Sequence, residues 1–270
     1  MFYPVPLDLS DRSRLQRAEV VLNPSESKRL LGKAVASLPE VRNAYANGRL
    51  SISVSSTSAF VLDELTGEKL PAYTYCCGMV AHGVLTLSAE EDMERTRYFV
   101  KGKREDHDDA FAFLDTFEKG DAVVKGANAV DPVGNAGVLA GNNQGGNIGA
   151  ILSLLAVRGL PIILPVGLEK SIASVIDASS GWGKVDLSLS TGLPTWLFPV
   201  TCGLVVTEIQ ALGILAGVGV RHIASGGIGG SEGAVILLLE GYEDSIAKAW
   251  DIVQGVKGEL PLSVPRHKFS

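Results

Sequence analysis

The chain has 270 residues, of which 46% are hydrophobic and 20% are charged, and its formal net charge is −6. A chain of this length predicts one large globular domain or two small ones. The acidic balance argues against a nucleic-acid partner, because binding a phosphate backbone requires a basic surface.

Residues 1–24 are predicted to form an N-terminal arm, which is interrupted by Pro4, Pro6 and Pro24. The arm lacks a basic segment followed by an apolar run, so we expect no secretory signal peptide. The most apolar stretch, residues 149–166, is broken by Arg, Gly and Pro, so we expect no membrane span. The three cysteines form no CxxC motif, and a cytoplasmic protein with reduced thiols is predicted.

Residues 25–48 have apolar side chains at helical spacing, and Asn23 or Ser25 can cap the helix. Pro39 lies inside this region and predicts its division into two helices. Residues 50–54 then alternate apolar side chains with serines, which is typical of a short strand.

A run of hydroxyl-bearing residues follows this strand, at the start of a predicted helix that ends at Gly67. The run consists of Ser55, Ser56, Thr57 and Ser58. The N-terminus of a helix has unpaired N–H groups and a partial positive charge, so we predict that this turn binds a phosphate or a carboxylate. Capping by a single serine is the alternative explanation, and four consecutive hydroxyl residues favour the ligand.

Residues 73–88 are predicted to contain two strands, in YTYCCGMV and GVLTLS. A third is expected in RYFVKGKRED, with Gly102 in or near a turn. The next segment, DHDDAFAFLDTFEKG, is predicted to be a helix that Asp106 or Asp108 caps.

Residues 121–125, DAVVK, have the continuous apolar run of a buried parallel strand. A stretch rich in Gly and Asn follows, and then a predicted helix over 148–159 and a strand over 161–166. This alternation predicts an α/β fold, with a doubly wound, mostly parallel sheet and right-handed crossovers. Ligands bind such sheets at the carboxyl ends of the strands.

The Gly/Asn-rich stretch, residues 126–149, would lie at that edge of the sheet, and its glycines allow the backbone to approach a ligand closely. We predict a polar pocket built from Gly126, Asn128, Asn135, Gly145, Gly146 and Asn147. A flexible surface loop is the alternative interpretation. Lys125 is predicted either to pair with an anion or to face outward, and Asp131 to be either a base or an ordinary turn residue before Pro132.

The last part of the chain has the predicted order strand, helix, strand, strand, helix, which indicates a ferredoxin-like α+β subdomain with a strand missing or borrowed. Gly, Ser and Pro accumulate between Trp182 and Pro199, and we place the domain boundary there. The predicted organisation is an arm over 1–24, an α/β ligand-binding domain over 25–198 and an α+β subdomain over 199–270.

Residues 121–166 resemble the core of the superfamily that contains ribose-5-phosphate isomerase, translation initiation factor 2B and the CoA transferases. In that core a strand ends in Gly-Ala-Asp-Ala or a similar sequence, a loop with Gly and Asn follows, and a helix leads to the next strand. Residues 52–65, ISVSSTSAFVLDEL, are similar to the phosphate-binding turn of type A ribose-5-phosphate isomerase. The resemblance covers residues 25–170 and implies the same doubly wound fold.

The resemblance also implies roles for two residues. Lys170 matches the position of a substrate-binding lysine in the isomerases, and a solvated helix start is the alternative. Glu232, in the Gly-rich turn 225–234, is similar to the nucleophilic Glu of the CoA transferases, but a wide hairpin is the favoured interpretation of this turn. Asn128 stands where the isomerases have Asp, and an amide has no acid–base chemistry near neutral pH.

We therefore expect an enzyme that acts on a small anionic metabolite, either a sugar phosphate or an acyl-CoA, as an isomerase or as a CoA or acyl transferase. Asp131 or Glu232 would be the base or nucleophile, and Lys125 and Lys170 would stabilise negative charge. No cofactor or metal is indicated, and CoA would be a substrate. The alternative, which Asn128 favours, is a non-catalytic regulatory or assembly protein that binds a metabolite.

We also expect a homo-oligomer, because the proline-rich arm and the apolar C-terminal strands need covering.

Overall fold

The computed structural model describes residues 1–89, 91 and 93–264. The helices are α1 (Pro24–Ser37), α2 (Pro39–Asn47), α3 (Ser56–Thr66), α4 (Ala110–Asp115), α5 (Gly146–Ile151), α6 (Val175–Ser179), α7 (Glu208–Ala216) and α8 (Glu243–Val256). The strands are β1 (Gln16–Leu22), β2 (Arg49–Ile52), β3 (Gly78–Ala81), β4 (Val84–Leu87), β5 (Arg97–Val100), β6 (Lys103–Glu105), β7 (Ala122–Val124), β8 (Ala129–Val130), β9 (Ala136–Ala140), β10 (Ile162–Pro165), β11 (Trp196–Val200), β12 (Leu204–Val206), β13 (Gly219–Ser225) and β14 (Val235–Gly241).

A mixed, largely parallel sheet forms the centre of the molecule, in the order β12-β10-β7-β2-β5-β6. The strands β12, β10, β7 and β2 are parallel, whereas β5 and β6 are antiparallel additions at one side. Leu50 lies opposite Ala122, and Ile52 opposite Val124, so β2 and β7 end at the same level. The mixed α/β class expected from alternating strands and helices is therefore present.

Helices cover both faces of the central sheet, because its strands are apolar on both sides. Ala122 and Val124 of β7 pack in a core that includes residues of α1, α3 and α7. Val123 points to the opposite face and packs with residues of α4 and α5. This two-sided burial holds β7 rigidly in the centre of the sheet.

The helical region near the N-terminus follows its sequence signals. Asn23 and Glu26 form a capping box at the start of α1, and Pro39 begins α2 after a single residue. The cap of α4 is Asp109, whose side chain accepts hydrogen bonds from Phe111 and Ala112, so the prediction of Asp106 or Asp108 is wrong.

The Gly/Asn-rich stretch is more ordered than a surface loop. It contains β8 and β9, which form a hairpin, and β9 also pairs with β11 in a three-stranded sheet. The predicted boundary region therefore contains a strand, β11, that the sequence analysis did not identify.

The C-terminal elements occur in the predicted order, but they belong to two sheets. The strand β12 pairs with β10 in the central sheet. The strands β13 and β14 form a hairpin, and their third partner is β1, from the segment predicted to be an arm. The third strand of this small sheet thus comes from the N-terminal segment, while the ferredoxin-like subdomain and the division into domains stay predictions.

Within the part of the chain that the structure describes, no helix combines the length and the apolar composition that a bilayer crossing requires.

Candidate functional site

The two predicted ligand-binding turns lie side by side at one edge of the central sheet. Ser55 follows β2, and Gly126 follows β7, its parallel neighbour. A Cβ atom at position 126 would lie 2.7 Å from the Cβ of Ser55 and still closer to its hydroxyl. Only glycine allows this approach, and it brings the two chain reversals into contact.

A cavity of about 1100 Å³ opens at this edge. Its walls include most of the predicted binding residues, namely Ser55, Ser56, Thr57, Lys125, Gly126, Asn128, Gly145, Gly146, Asn147 and Lys170. Residues that the sequence analysis did not assign to the site also line it, among them Lys28, Cys76 and Cys77. Asp131 and Glu232 are not among the lining residues.

The side chains of the hydroxyl-rich turn have two roles, in capping helix α3 and in lining the cavity. Ser55 caps α3 by accepting a hydrogen bond from the Ser58 N–H at 3.0 Å, and it donates to the Ser58 hydroxyl at 2.8 Å. Ser58 is fully buried by this arrangement. Ser56 and Thr57 line the cavity at the first turn of α3, where helix N–H groups have no intrahelical acceptor.

Three lysines approach the cavity from different elements: Lys28 from α1, Lys125 from the end of β7, and Lys170 from a short 3₁₀ helix after β10. The Lys170 amine donates to the Ala127 carbonyl at 3.0 Å. The Lys28 amine lies 3.6 Å from a Glu169 oxygen and donates to the Pro24 carbonyl. The Lys125 amine makes a long hydrogen bond of 3.4 Å to the Gly126 carbonyl.

Burial lowers the pKa values of the two lysines that follow the strands. The pKa of Lys125 falls to about 8, mainly because of burial and with a contribution from the nearby charge of Lys170. Burial also lowers the pKa of Lys170, against the opposing effect of Glu169. Among the described residues neither lysine forms a salt bridge, so an anion in the cavity would stabilise both charges.

The three lysines act on one thiol. Burial raises the pKa of Cys76 to about 11, and the charges of Lys170, Lys125 and Lys28 oppose this rise. That common effect shows that the positive charges converge on a small region. Cys77, the next residue, is exposed and lines the same cavity.

The carboxylates that line the other side of the cavity already have cationic partners. Glu94 lies 2.9 Å from the guanidinium of Arg97, and Asp108 pairs with Arg95. Among the described residues that line the cavity, positive charge therefore remains unpaired only at the lysine side.

Asp131, a predicted base, lies in the β8–β9 turn and is almost fully buried. Its carboxylate accepts hydrogen bonds from the backbone N–H groups of Val133, Asn135 and Val175 and from the Asn135 side chain, at 2.9–3.2 Å. Burial would raise the pKa of Asp131, but these hydrogen bonds outweigh it and lower the pKa. Asp131 and Asn135 thus form the internal structure of a turn, and the catalytic role of Asp131 stays a prediction.

Glu232 lies in the exposed turn between β13 and β14, where its carboxylate accepts a hydrogen bond from Gly230. This turn is the hairpin favoured by the sequence analysis. Asn128 does line the cavity, and its side-chain oxygen accepts a hydrogen bond from the Leu139 N–H at 3.0 Å. Its position therefore braces β9 against the turn after β7.

Two carboxylates lie near Lys170, the fully buried Glu208 and the half-buried Glu169. Glu208, at the start of α7, accepts a hydrogen bond from the Leu168 N–H at 2.9 Å, and its other oxygen has no hydrogen-bond partner among the described residues. Burial and the charge of Glu169 raise the pKa of Glu208. One oxygen of Glu169 is likewise buried without a partner.

No sequence pattern predicted that Lys28 and Cys76 would line the cavity; only their residue types marked them as candidates. Lys28 is separated from the strand ends by a whole helix, and only the packing of α1 against α3 brings it to the cavity. In the described residues no three His, Cys, Asp or Glu side chains form a metal-binding cluster. Comparison with models of protein families, with curated proteins and with solved structures gave no match for this chain.

Proposed function

We propose that this protein is an enzyme that binds a small phosphorylated metabolite, of the sugar-phosphate class, in the cavity at the carboxyl ends of β2, β7 and β10. One observation carries the proposal: Lys125 and Lys170 face the cavity without a carboxylate partner among the described residues, beside the first turn of α3. A phosphate there would accept hydrogen bonds from the Lys170 amine and from backbone N–H groups, with the Lys125 amine beside it.

A sugar phosphate suits this distribution of charge better than an acyl-CoA does. The unpaired cations lie together at one end, which matches one phosphate group. At the other side of the cavity Arg95 pairs with the carboxylate of Asp108. The several phosphates of CoA would need additional unpaired cations, and the cavity wall offers none in the described residues.

The arrangement also supports the resemblance to the superfamily of ribose-5-phosphate isomerase and the CoA transferases. In this protein, as in that superfamily, a hydroxyl-rich turn follows one strand and a Gly-rich turn follows a neighbouring parallel strand, and the two turns face the same ligand site. Isomerisation is the reaction class that this resemblance implies for a sugar phosphate.

A thermal-shift series tests the proposal. Ribose 5-phosphate, inorganic phosphate, ribose and acetyl-CoA are compared at equal concentration. At a hundred times its Kd a ligand stabilises the native state by about 2.7 kcal/mol, which corresponds to a rise in Tm of about 5 °C. We expect ribose 5-phosphate to raise the Tm and ribose to leave it unchanged. A larger effect of acetyl-CoA would favour the CoA class instead.

The matched variants are Lys170→Ala and Lys248→Ala. Lys248 is an exposed residue of α8, far in sequence from the cavity. A hydrogen bond to a charged group contributes about 1.5–3 kcal/mol, so Lys170→Ala should weaken binding by roughly 10- to 100-fold. The proposal fails if no phosphorylated compound raises the Tm of the native chain.

A non-catalytic, metabolite-binding protein is the second candidate. The observation that favours it is the absence of Asp131 and Glu232, the two predicted reactive carboxylates, from the cavity wall. Asp131→Ala and Glu232→Ala distinguish the candidates only if turnover is found. Turnover that survives both substitutions would exclude Asp131 and Glu232 as catalytic residues. The reactive group would then be one of the side chains that line the cavity.

A further inference from the structure

Lys125 differs from the other two lysines of the cavity in how little holds its amine. Lys28 is engaged by Glu169 and by the Pro24 carbonyl, and Lys170 by the Ala127 carbonyl at 3.0 Å. Among the described residues the Lys125 amine makes a single hydrogen bond, of 3.4 Å, to the carbonyl of the next residue. The amine of Lys125 is therefore the least constrained of the three.

The backbone that carries Lys125 is firmly placed. It follows β7, a central strand with parallel partners on both sides, and the Lys125 N–H donates to the Ile163 carbonyl at 2.9 Å. Gly126 then presses against Ser55. An amine that projects from such a position into a cavity reaches a bound molecule from a fixed direction, which favours reaction.

The surroundings also keep part of this amine neutral. With its pKa lowered to about 8, about a quarter of the Lys125 amines are unprotonated at pH 7.5. For an ordinary lysine the fraction is roughly one in a thousand. A neutral amine is the form that attacks carbonyl carbon.

We infer that Lys125 is a nucleophile that forms a Schiff base with an aldehyde or ketone carbon of a phosphorylated substrate, while Lys170 and the first turn of α3 hold the phosphate. The inference rests on the proposed function, and it narrows the substrate class to phosphorylated carbonyl compounds. It gives the cavity a reactive group that neither Asp131 nor Glu232 provides.

Imine formation needs no reagent other than water as a source of protons. The lone pair of the neutral amine forms the C–N bond as the carbonyl π bond breaks, and a proton moves from the nitrogen to the oxygen to give a carbinolamine. A proton from water is then added to the hydroxyl, which leaves as water; this breaks the C–O bond and leaves a protonated imine. The positive nitrogen then draws electrons from the adjacent carbon, which makes its C–H bond more acidic.

Reductive trapping tests the inference on the native chain. The probe is D-glyceraldehyde 3-phosphate with sodium cyanoborohydride at pH 7.5, and peptide mass mapping locates the secondary amine. We expect the adduct on Lys125, at a rate at least about tenfold above that on the exposed Lys248. Excess inorganic phosphate should suppress the labelling of Lys125 and leave that of Lys248 unchanged.

The variant Lys125→Arg keeps a positive charge and removes the nucleophile. We expect it to retain a Tm rise with inorganic phosphate and to lose the adduct at this site. An adduct on Lys170, or no adduct anywhere on the cavity wall while phosphate still raises the Tm, would overturn the inference and leave the proposed function standing. Absence of any Tm rise with phosphate on the native chain would instead overturn the proposed function.

Discussion

Lys125 and Asp131 are only six residues apart in the sequence, but their side chains differ in how many hydrogen bonds they make within the protein. Asp131 accepts four hydrogen bonds from its own turn and from the start of α6. Lys125 faces the cavity with one long hydrogen bond. Both are titratable residues that a sequence marks as candidates for chemistry. The comparison teaches that the internal partners of a polar group decide whether it is available to a ligand.

Removing Asp131 should have the largest effect on stability. Asp131→Ala leaves three backbone N–H groups and one side-chain amide without their acceptor, and a loss of about 3–5 kcal/mol in unfolding free energy is expected. The control is Asp177→Ala, because Asp177 is exposed on α6. Chemical denaturation measures both. Equal stability of the two variants would contradict the structural role given to Asp131.

The contact between the two chain reversals can be broken at Gly126. A methyl group there would overlap Ser55, so Gly126→Ala should destabilise the protein by about 2–3 kcal/mol and weaken phosphate binding. Gly255→Ala is the control, because an added Cβ in that part of α8 meets nothing within 4 Å. The control should be neutral or slightly stabilising. Normal phosphate binding by Gly126→Ala would show that the approach of the two turns is not needed.

Lys125→Met sharpens the comparison through pH. The folded-state pKa of Lys125 is about 8 and its ordinary value is 10.5, so the unfolded chain binds more protons between these values. The contribution of Lys125 to the free energy of unfolding is therefore fully present above pH 10.5. It decreases as the pH falls from 10.5 and is lost once the pH falls through 8. The variant should be more stable than the native protein at pH 7, because it removes a charged amine from this site. We expect a gain of about 1–2 kcal/mol, which is limited because the side chain is only half-buried and solvent partly screens its charge.

The advantage of Lys125→Met should disappear as the pH approaches 10.5. Lys248→Met, on an exposed surface, should show no such pH dependence. A constant difference between Lys125→Met and the native protein from pH 7 to 10.5 would mean that burial does not perturb this amine.

The smallest effect is expected at Glu208. Its pKa is raised from 4.5 by burial and by the charge of Glu169. The folded state therefore holds a proton that the unfolded chain loses as the pH rises above 4.5, and native stability declines over that range. Glu208→Gln should lack this decline and gain about 1 kcal/mol on the native protein between acidic and neutral pH. Glu243→Gln, at an exposed position, is the matched control.

Local sequence signals predicted the part of the fold that forms the site. The strand–serine–helix unit at Ser55 and the apolar run before Lys125 both occur as expected, because each depends on periodicity and capping within a few residues. Parallel pairing then places their carboxyl ends together, as general rules for α/β sheets require.

Pairings between distant segments could not be predicted in the same way. The strand β1 joins β14, and β9 joins β11, across long separations, and single-strand patterns carry no information on their partners. The same limit applies to Lys28, which packing of α1 brings to the cavity. The hydrogen bond from the Val175 N–H to Asp131 could likewise not be predicted, because it joins residues that are 44 positions apart in the sequence.

A crystal structure with D-ribose 5-phosphate tests the central claim most directly. The phosphate is expected between the first turn of α3 and the amine of Lys170, within hydrogen-bonding distance of both, with the Lys125 amine facing the sugar. A phosphate bound elsewhere on the protein, or a cavity without ligand at saturating concentration, would contradict the account.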